Sequence, residues 1–355
     1  MTSDQLFARF RSYRNHEALI IGDQSYTYSD LDYCLNQWIA RLSPLFHNVG
    51  TPVVGLQSDY SLESVACLFA VWSLKGTAAL IPPSPTNTSQ ILADAQVNLL
   101  FRQTSDTSWT LDPIGHNVSH PLLRQLAKDK IPGLILFTSG SSGHPKAVLH
   151  HVDRFLSKFD TPKPPYRTLA FLLFDHVAGI DTLLSVFSNG GTLIVPATRH
   201  PTSICQLIEH HRIEVLPTSP TFLRLLCMAN VASQFDLSSL KIIAYGSEPM
   251  TPSTLAAVRT QFPQVRLIQK YGSTEFGSPP SSTKQDDGLW IKLDDNSVRF
   301  KIIDQMLWIK TDTAMMGYLN APDPRVQDGW FPTGDEVVIE GEWLRILGRK
   351  SDIIS

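Results

Sequence analysis

The sequence has few of the features that mark secreted, membrane or metal-binding proteins. Its 355 residues include four cysteines, and no two of them form a C-x-x-C pair. These are Cys34, Cys67, Cys205 and Cys227. Their wide spacing predicts buried, reduced thiols of a cytoplasmic protein. The first residues lack the apolar core of a signal peptide, and no apolar run approaches the roughly 18 residues of a membrane-spanning helix.

Neither sign of charge is in excess. Lysine and arginine number 30 and aspartate and glutamate 33, which gives a formal net charge of −3. Such a balance indicates no strongly basic surface, so we expect neither a nucleic-acid nor a membrane partner. With 43% hydrophobic and 18% charged residues the composition is globular, and the length predicts two or more subdomains.

Two common nucleotide-binding motifs are missing. No G-x-G-x-x-G follows an apolar strand, so a dinucleotide-binding fold has no support. The Walker motif is also missing, because Pro145-Lys146-Ala147 stands where Gly-Lys-Ser/Thr is required, counting from Gly140. A phosphate site in this chain must therefore use another kind of loop.

Residues 134–146 provide a candidate, reading Leu-Ile-Leu-Phe-Thr-Ser-Gly-Ser-Ser-Gly-His-Pro-Lys. Four apolar residues predict a buried strand, and the hydroxyls, glycines and lysine after them can surround phosphate with N–H groups and positive charge. Apolar residues at helical spacing from Val148 to Phe159 then predict a helix. Because most Gly/Ser-rich loops bind nothing, this stretch alone leaves phosphate binding and an ordinary turn equally open.

Short apolar segments alternate with helical ones between about residues 35 and 270. Strands are predicted at 53–56, 78–81, 99–101, 169–174, 192–195, 213–216, 241–245 and 265–269. Ser219-Pro220 and Thr251-Pro252 each place a capping hydroxyl before a first-turn proline, which predicts a helix start. The alternation predicts an α/β fold with parallel sheets covered on both faces.

The pattern changes after a soft boundary near residue 285. Short strands split by turns are predicted at 289–293, 297–303, 306–310, 336–339 and 343–347. Such a run is typical of an antiparallel, barrel-like region. We expect an α/β part over 1–285, an antiparallel part over 286–347 and the start of a hinge over 348–355. The chain stops just after a strand, so we also expect a continuation to be missing.

Further polar segments follow predicted strands, and loops after parallel strands emerge at one edge of a sheet, where ligands bind. Residues 271–275 offer an aromatic ring, hydroxyls and a carboxylate, and residues 246–249 leave the neighbouring strand. Asp335 follows a predicted tight turn, and a carboxylate there suits a ribose diol because it accepts two hydroxyl hydrogen bonds. Arg349 adds a cation.

Four motifs, in this order, resemble the large N-terminal part of adenylate-forming enzymes, which include acyl- and aryl-CoA ligases, firefly luciferase and nonribosomal peptide adenylation domains. They are T-S-G-S-S-G-H-P-K at 138–146, Y-G-S-T-E at 271–275, T-G-D at 333–335 and G-R-K-S-D at 348–352. T-Y-S-D-L at 27–31 resembles the N-terminal signature of the family. The resemblance implies a luciferase-like α/β fold of two mostly parallel sheets flanked by helices, with a smaller antiparallel, β-barrel-like subdomain.

The resemblance also implies a reaction. A carboxylate attacks the α-phosphate of ATP and releases pyrophosphate, and the acyl-adenylate then passes its acyl group to a thiol of CoA or of a carrier-protein phosphopantetheine. ATP and Mg²⁺ are the implied cofactors. In this family a mobile C-terminal domain of about 100 residues follows the hinge and carries a lysine that drives adenylation. That domain is absent from the sequence, so we expect adenylation by this chain to be impaired.

The motifs assign roles to individual residues by resemblance. The phosphate loop comprises Thr138, Ser139, Gly140, Ser141, Ser142, Gly143 and Lys146. The nucleotide-binding residues after the later strands are Gly246, Ser247, Glu248, Tyr271, Gly272, Ser273 and Thr274. Among them Gly246, Ser247 and Glu248 form the adenine wall. Tyr271 stacks on adenine and Thr274 contacts the α-phosphate.

The remaining roles concern catalysis, metal and ribose. Glu275 holds Mg²⁺, and Lys146, Thr274 and Glu275 are the implied catalytic residues. Asp335 binds the ribose hydroxyls, assisted by Arg349.

Residues 174–179 carry the signal for the acid substrate and align with the family in two ways. His176 and Gly179 fit the H-x-x-G of acyl- and aryl-CoA ligases, where the ring borders the carboxylate pocket. Phe174-Asp175 instead fits the F-D of amino-acid adenylation domains, where Asp pairs with the substrate ammonium. We prefer the first alignment. The second stays open, as does a non-catalytic nucleotide-binding module.

Other side chains have weaker assignments. The further candidates for the wall of the acid site are Asp181, Tyr245 and Ser247. The pairs His150-His151 and His210-His211 are predicted as helix-surface residues, because no carboxylate or cysteine set stands with them at metal-ligand spacing.

Overall fold

The computed structural model describes residues 1–49, 52–84, 87–105, 108–138, 144–284, 288–293, 298–325 and 327–349. The helices in these ranges are α1 Ser3–Ser12, α2 Tyr28–Val49, α3 Leu62–Ser73, α4 Thr88–Asp94, α5 Pro121–Asp129, α6 Val152–Leu156, α7 Val177–Ser188, α8 Pro201–His211, α9 Pro220–Ala229 and α10 Pro252–Gln261. None of them has the length and apolar character needed to cross a membrane.

The strands of the same ranges form three sheets. They are β1 Glu17–Ile21, β2 Gln24–Thr27, β3 Val53–Gln57, β4 Thr77–Ile81, β5 Leu99–Gln103, β6 Trp109–Pro113, β7 Gly133–Thr138, β8 Lys146–His151, β9 Arg167–Leu169, β10 Thr192–Val195, β11 Val215–Thr218, β12 Ile242–Tyr245, β13 Arg266–Gln269, β14 Ser281–Thr283, β15 Ile291–Leu293, β16 Val298–Ile303, β17 Met306–Thr311, β18 Gly317–Tyr318, β19 Phe331–Glu340 and β20 Trp343–Arg349.

The chain folds into two compact units, and each is discontinuous in sequence. Unit 1 comprises Met1–Pro165, Leu173–Thr192 and Thr313–Asp323. Unit 2 comprises Tyr166–Leu172, Leu193–Asp312 and Pro324–Ser355. The three parts predicted around residue 285 stay a prediction, and residues 285–287 and 350–355 lie outside the described ranges.

Unit 1 contains a seven-stranded sheet in the order β18-β8-β7-β4-β3-β5-β6. The central strands β7, β4, β3 and β5 are parallel, and antiparallel strands lie at both edges. Every residue of β3 and β4 is buried, as expected for strands covered on both faces. Ser61 and Ser64 form a capping box that begins α3 after β3, as the predicted strand–helix alternation requires.

The segment after the Gly/Ser-rich loop is a strand up to His151, so the predicted helix is wrong at its start, while its later part is confirmed by α6. β8 pairs antiparallel with β7, and Thr138 lies opposite Lys146. Four consecutive buried residues in β8 favour a strand that is covered on both faces. His150 is buried in β8 and His151 caps α6, so neither is a helix-surface residue.

Unit 2 contains the strand order β13-β12-β11-β9-β10, in which β9, β11, β12 and β13 pair in parallel. The predicted caps are confirmed: Ser219 Oγ accepts from Phe222 N and Thr251 Oγ1 from Thr254 N, both at 3.2 Å. The predicted strand at 169–174 is wrong beyond Leu169, since β9 ends there.

The antiparallel region is confirmed as a six-stranded sheet in unit 2, in the order β14-β15-β20-β19-β17-β16. β19 begins at Phe331 and runs through Asp335, so this carboxylate lies within a strand and not after a tight turn. Gly334 supplies a φ of +78° next to it, and the register between β19 and β20 shifts just beyond, between Glu336 and Val337. The parallel strands with their helices and this second sheet confirm the predicted α/β class.

Candidate functional site

A buried phenol and a carboxylate form the centre of the candidate site in unit 2. Tyr271 follows β13, and its hydroxyl donates to Asp335 Oδ2 at 2.6 Å. Asp335 lies in β19, so this bond joins the loop after a parallel strand to the antiparallel sheet. At that length a phenol–carboxylate bond is a strong, charge-assisted one.

Packing fixes the ring of Tyr271. The residue is 8% exposed, and its ring lies 5.7 Å from that of Phe276 in a tilted arrangement. Phe276 in turn contacts the ring of Phe331 at 5.7 Å. Burial, reinforced by the negative charge of Asp335, raises the pKa of Tyr271 well above its usual value of 10. The phenol therefore stays a hydrogen-bond donor at any working pH.

The second oxygen of Asp335 is oriented toward a cation. Arg349 Nε lies 4.0 Å from Asp335 Oδ1, and the two residues are directly opposite each other on β20 and β19. Thr333 Oγ1 accepts from Asp335 N at 3.1 Å and donates to Leu307 O at 2.7 Å. Backbone and side chain of Asp335 are thus both held, and its side chain keeps 16% of its surface exposed.

The loop after Tyr271 is tightly closed. Ser273 and Gly277 form an isolated bridge, with Ser273 N donating to Gly277 O at 3.0 Å. A Cβ on Gly272 would overlap the Gly277 carbonyl oxygen, so only glycine fits there. Ser273 Oγ accepts from Glu275 N at 3.1 Å, which leaves Glu275 half-buried beside the buried Thr274.

The loop after β12 is also built by close backbone contacts. The buried Tyr245 donates its hydroxyl proton to Gly288 O, and a Cβ on Gly246 would lie 2.6 Å from Lys270 O. Ser247 follows with a φ of +71°. Glu248 accepts from both N and Oγ1 of Thr221 at 2.8 Å, so its carboxylate is engaged at the start of α9.

Unit 1 contains the described part of the predicted phosphate loop. Ser139, Gly140, Ser141, Ser142 and Gly143 lie outside the described residues. Thr138 and Lys146 end and begin the flanking strands. Lys146 Nζ lies 5.0 Å from the centre of the Tyr318 ring, within the range of a cation–π contact.

Residues 174–179 of unit 1 surround the start of α7. His176 is the N-cap residue, and its Nδ1 accepts from Ala178 N at 3.2 Å, so the neutral ring carries its proton on Nε2. Desolvation lowers the pKa of His176, although part of its surface is exposed. A Cβ on Gly179 would overlap the Leu173 carbonyl oxygen. Asp175 is half-buried.

Asp181, one turn into α7, forms an ion pair with Lys158. The Lys158 side chain is 7% exposed and also lies near the rings of Phe155 and Phe159. The Asp181 carboxylate is therefore already engaged within unit 1.

Three residues that sequence reasoning did not single out support these clusters. Thr333 lies inside the T-G-D motif, so the motif could have suggested its role. Thr221, the partner of Glu248, follows the predicted helix start at Pro220. Asn320 accepts from Ala147 N and donates to Pro145 O, yet nothing near it in sequence signals a contact 173 residues away.

The charged side chains of the described residues do not form a metal-binding site made of protein ligands alone. Across those ranges, no cluster of three or more histidine, cysteine, aspartate or glutamate side chains could hold a metal ion. A single carboxylate such as Glu275 suits Mg²⁺, which keeps several waters and is bound through one or two carboxylates together with substrate phosphates.

Comparison with curated proteins finds CoA ligases. The chain is 26% identical over 254 residues to 4-coumarate--CoA ligase-like 9 of Arabidopsis thaliana, covering 63% of this chain and 45% of that protein. It is 23% identical over 385 residues to 2-succinylbenzoate--CoA ligase of Enterococcus faecalis, covering 96% of this chain and 77% of that protein. The alignment thus spans less than half the length of the plant relative and about three quarters of the bacterial one.

Solved structures share the fold. The luciferase-like enzyme of the mealworm Zophobas morio superposes with a TM-score of 0.80 at 19% identity, covering 99% of this chain and 96% of that one. The anthranilate CoA ligase AuaEII in complex with anthranoyl-AMP superposes with a TM-score of 0.82 at 18% identity, covering all of this chain and 78% of that one. The family model described as AMP-binding enzyme matches residues 6–319. Because that model matches well over half of the chain, the chain belongs to the AMP-binding enzyme family.

Proposed function

We propose that this chain binds ATP and activates a carboxylic acid as its acyl-adenylate, for transfer to a thiol. The observation that carries the proposal is the Tyr271–Asp335–Arg349 cluster. A carboxylate whose orientation is fixed by a buried donor, with a cation 4.0 Å from its other oxygen, offers acceptor positions for a ribose diol. Family membership supports ATP as the nucleotide.

In the proposed reaction a carboxylate oxygen of the acid attacks the α-phosphorus of ATP. The bond from that phosphorus to the bridging oxygen breaks, and pyrophosphate leaves with the electron pair. A thiolate then attacks the acyl carbon, and AMP leaves. Two anions must be held in line, so positioned cations and N–H donors contribute most of the rate enhancement. We assign Lys146 to the β- and γ-phosphates, Thr274 to the α-phosphate and Asp335 to the ribose.

We propose Mg²⁺ as the second cofactor, which the Glu275 carboxylate would hold. When bound, the ion supplies positive charge that offsets the negative charge on the phosphates. The half-buried Glu275, whose backbone is fixed by Ser273, supports this assignment.

For the acid we favour an acyl or aryl substrate over an amino acid. His176 carries its neutral-state proton on Nε2, which makes the ring a donor toward a carboxylate or another oxygen acceptor. Gly179 packs against a carbonyl and adds no side chain near His176. Tyr245 and Ser247 stay proposed wall residues, and Asp175 remains the residue to test for an amino-acid substrate.

The acceptor and the compartment are also proposals. The two curated relatives described above are named CoA ligases, which favours CoA, and a phosphopantetheinyl carrier protein is the alternative acceptor. The four cysteines are free, and burial raises the pKa of Cys34 to about 12. Unreactive, reduced thiols support a cytoplasmic protein.

The test has two steps: nucleotide binding is measured on this chain, and pyrophosphate exchange is measured on the full-length protein. Calorimetry measures binding of ATP and AMP to the wild type and to Asp335→Asn, which keeps the shape of the side chain and removes its charge. ATP–pyrophosphate exchange is then measured with aryl acids, fatty acids and amino acids. We expect nucleotide binding that Asp335→Asn weakens, and exchange that depends on an aryl or acyl acid.

The other outcomes separate the alternatives. Exchange that occurs with amino acids alone, and that Asp175→Ala abolishes, would show that the substrate is an amino acid and not an acyl or aryl acid. Tight ATP binding without exchange for any acid would identify a non-catalytic nucleotide-binding module. Absence of ATP and AMP binding would overturn the proposed function.

A further inference from the structure

A short segment far along the chain returns to unit 1 and pairs with the strand that begins at Lys146. Residues 313–323 belong to unit 1, although the residues before and after them belong to unit 2. Within this segment β18 pairs antiparallel with β8, with Gly317 opposite Leu149 and Tyr318 opposite Val148. Leu319 N donates to Ala147 O at 2.9 Å, which continues the pairing to the residue after Lys146. β8 is therefore held on both edges, by β7 and by β18.

Asn320 holds the backbone on both sides of Lys146. Its Oδ1 accepts from Ala147 N at 2.9 Å, and its Nδ2 donates to Pro145 O at 3.0 Å. The same Nδ2 also donates to Asp94 Oδ2 at 2.9 Å. A backbone N–H, a backbone carbonyl and a carboxylate can only be satisfied with one orientation of the carboxamide, so the side chain is fixed. The peptide groups flanking Lys146 are thereby fixed too.

Tyr318 contacts the ammonium end of the Lys146 side chain. Its ring is 6% exposed, and Lys146 Nζ lies 5.0 Å from the ring centre. A lysine side chain has four flexible carbons, so an unsupported Lys146 would lose rotamer freedom whenever it bound an anion. The contact with the Tyr318 face restricts the ammonium before any ligand binds.

We propose that Tyr318 and Asn320 are positioning residues for Lys146, and through it for the β- and γ-phosphates of ATP. This inference rests on the proposed function. It makes a specific prediction, because AMP has neither of those phosphates. Loss of the positioning must weaken ATP binding while AMP binding stays unchanged. A general weakening of the fold would reduce the affinity for both nucleotides together.

The experiment compares the dissociation constants of ATP and AMP by calorimetry. We expect Asn320→Ala and Tyr318→Leu each to raise the Kd for ATP about tenfold and to leave the Kd for AMP unchanged. Tyr318→Phe keeps the aromatic face, so it should retain most of the ATP affinity. Lys146→Ala removes the ammonium itself, so its loss of ATP affinity is the largest that Asn320→Ala or Tyr318→Leu can reach.

Asn189→Ala is the matched control. Asn189 is another asparagine of unit 1 whose amide joins backbone groups, accepting from Lys163 N at 2.6 Å and donating to Ser185 O at 2.6 Å. It should change the Kd of neither nucleotide. Thermal unfolding of each variant checks that the fold is retained, and the Tyr318→Phe and Tyr318→Leu pair keeps the test open should Asn320→Ala fail to fold.

The outcomes distinguish this inference from the proposed function. A loss for ATP with Lys146→Ala, but none with Asn320→Ala or Tyr318→Leu, overturns the inference and leaves the proposed function intact. An equal loss of ATP and AMP in the positioning variants also overturns it, because that result indicates structural damage. Equal ATP and AMP affinities in the wild type, unchanged by Lys146→Ala, contradict the phosphate role of Lys146 and with it this inference, whereas absence of ATP and AMP binding would overturn the proposed function itself.

Discussion

The two units hold their functional side chains in different ways. In unit 2 the central contact joins two side chains, because the Tyr271 phenol donates directly to Asp335. In unit 1 the contacts around Lys146 are mostly to backbone, with Asn320 bonded to the peptide groups on either side of it. The difference teaches that the carboxylate in unit 2 depends on one buried donor, whereas the lysine in unit 1 depends on a strand held at both edges.

The units also differ in how their helices begin. In unit 1, hydroxyls cap α1 and α3, whereas His120, His151 and His176 cap α5, α6 and α7 through Nδ1. In unit 2, hydroxyls of Ser219 and Thr251 cap α9 and α10. Imidazoles titrate near neutral pH and hydroxyls do not, so the two units are expected to respond differently to acid.

The largest expected effect is that of Asp335→Ala. The substitution removes the ribose acceptor and leaves the Tyr271 hydroxyl buried without its partner. Losing two hydrogen bonds to a charged group predicts that the Kd for AMP rises about 100-fold. Because the ribose is common to both nucleotides, ATP should be affected as strongly as AMP. Calorimetry with each nucleotide measures this.

The control for that variant is Glu342→Ala. Glu342 lies in the turn between β19 and β20 and forms an exposed ion pair with Lys292 at 2.7 Å. Surface pairs of this kind contribute little, so both affinities should stay at the wild-type value. If Asp335→Ala lowered the affinity for ATP but not for AMP, the carboxylate would act on the phosphates and not on the ribose. The contrast between Asp335 in unit 2 and Lys146 in unit 1 would then be wrong.

Tyr271→Phe should have a smaller effect of the same kind. It keeps the ring and its contact with Phe276 but removes the donor that fixes Asp335. We expect the Kd for AMP to rise about five- to tenfold, in line with a net contribution of about 1 kcal/mol from one hydrogen bond. The Kd for 2′,3′-dideoxy-AMP should not change, because that nucleotide offers no hydroxyls to the carboxylate.

Tyr13→Phe serves as its control, since the Tyr13 hydroxyl of unit 1 donates to Ser188 O at 3.1 Å. Equal weakening of AMP and dideoxy-AMP by Tyr271→Phe would contradict a role through Asp335. No change for either nucleotide would leave only the stacking on adenine that the family resemblance implies, because phenylalanine keeps the ring.

The clusters show how much of the fold and site could be predicted from sequence. The alternation of short apolar strands and helices predicted the parallel sheets, and the turn-rich region predicted the antiparallel sheet, because both patterns are local. The sequence places Tyr271 after a predicted strand, Asp335 after a predicted tight turn and Arg349 after the last predicted strand. The bond between Tyr271 and Asp335 could not be predicted, since it joins residues 64 positions apart.

The strand at Val148, where the sequence pattern predicts a helix, also depends on residues far away in the sequence. Residues 146–151 are apolar enough for either a helix or a strand, and their spacing fits both. Pairing with β7 on one edge and with β18 on the other decides for a strand. β18 comes from residues 317–318, so no window around Val148 contains the deciding contact. The contacts of Asn320 could not be predicted for the same reason.

A third prediction concerns the engaged carboxylate of Glu248. Its two bonds to Thr221 satisfy an N–H in the first turn of α9 and place a negative charge at the positive end of that helix. Glu248→Ala should lower the free energy of unfolding by about 1 kcal/mol in urea titrations. Thr221→Val should cost a similar amount, and the double variant little more than either. Additive losses would show that the two residues act separately.

The smallest effect is expected from the histidine caps. Desolvation lowers the pKa of His120 and of His151, so both rings are harder to protonate in the folded than in the unfolded chain. Their contribution is complete above the unfolded pKa of about 6.5 and is lost as the pH falls below it. Urea unfolding at pH 5.5 and 7.5 should therefore show a slope with pH that His120→Asn reduces, because asparagine caps without titrating.

Ser219→Asn makes the same kind of change in unit 2, where the native cap is a hydroxyl. It should leave the dependence on pH as it is in the wild type. If His120→Asn and Ser219→Asn change the pH dependence of unfolding equally, the histidine caps are not the source of that dependence. The proposed difference between the helix starts of the two units would then be wrong. If only His120→Asn reduces it, the acid sensitivity belongs to the helix starts of unit 1, while the Tyr271–Asp335 bond of unit 2 keeps its donor because the pKa of Tyr271 lies well above that range.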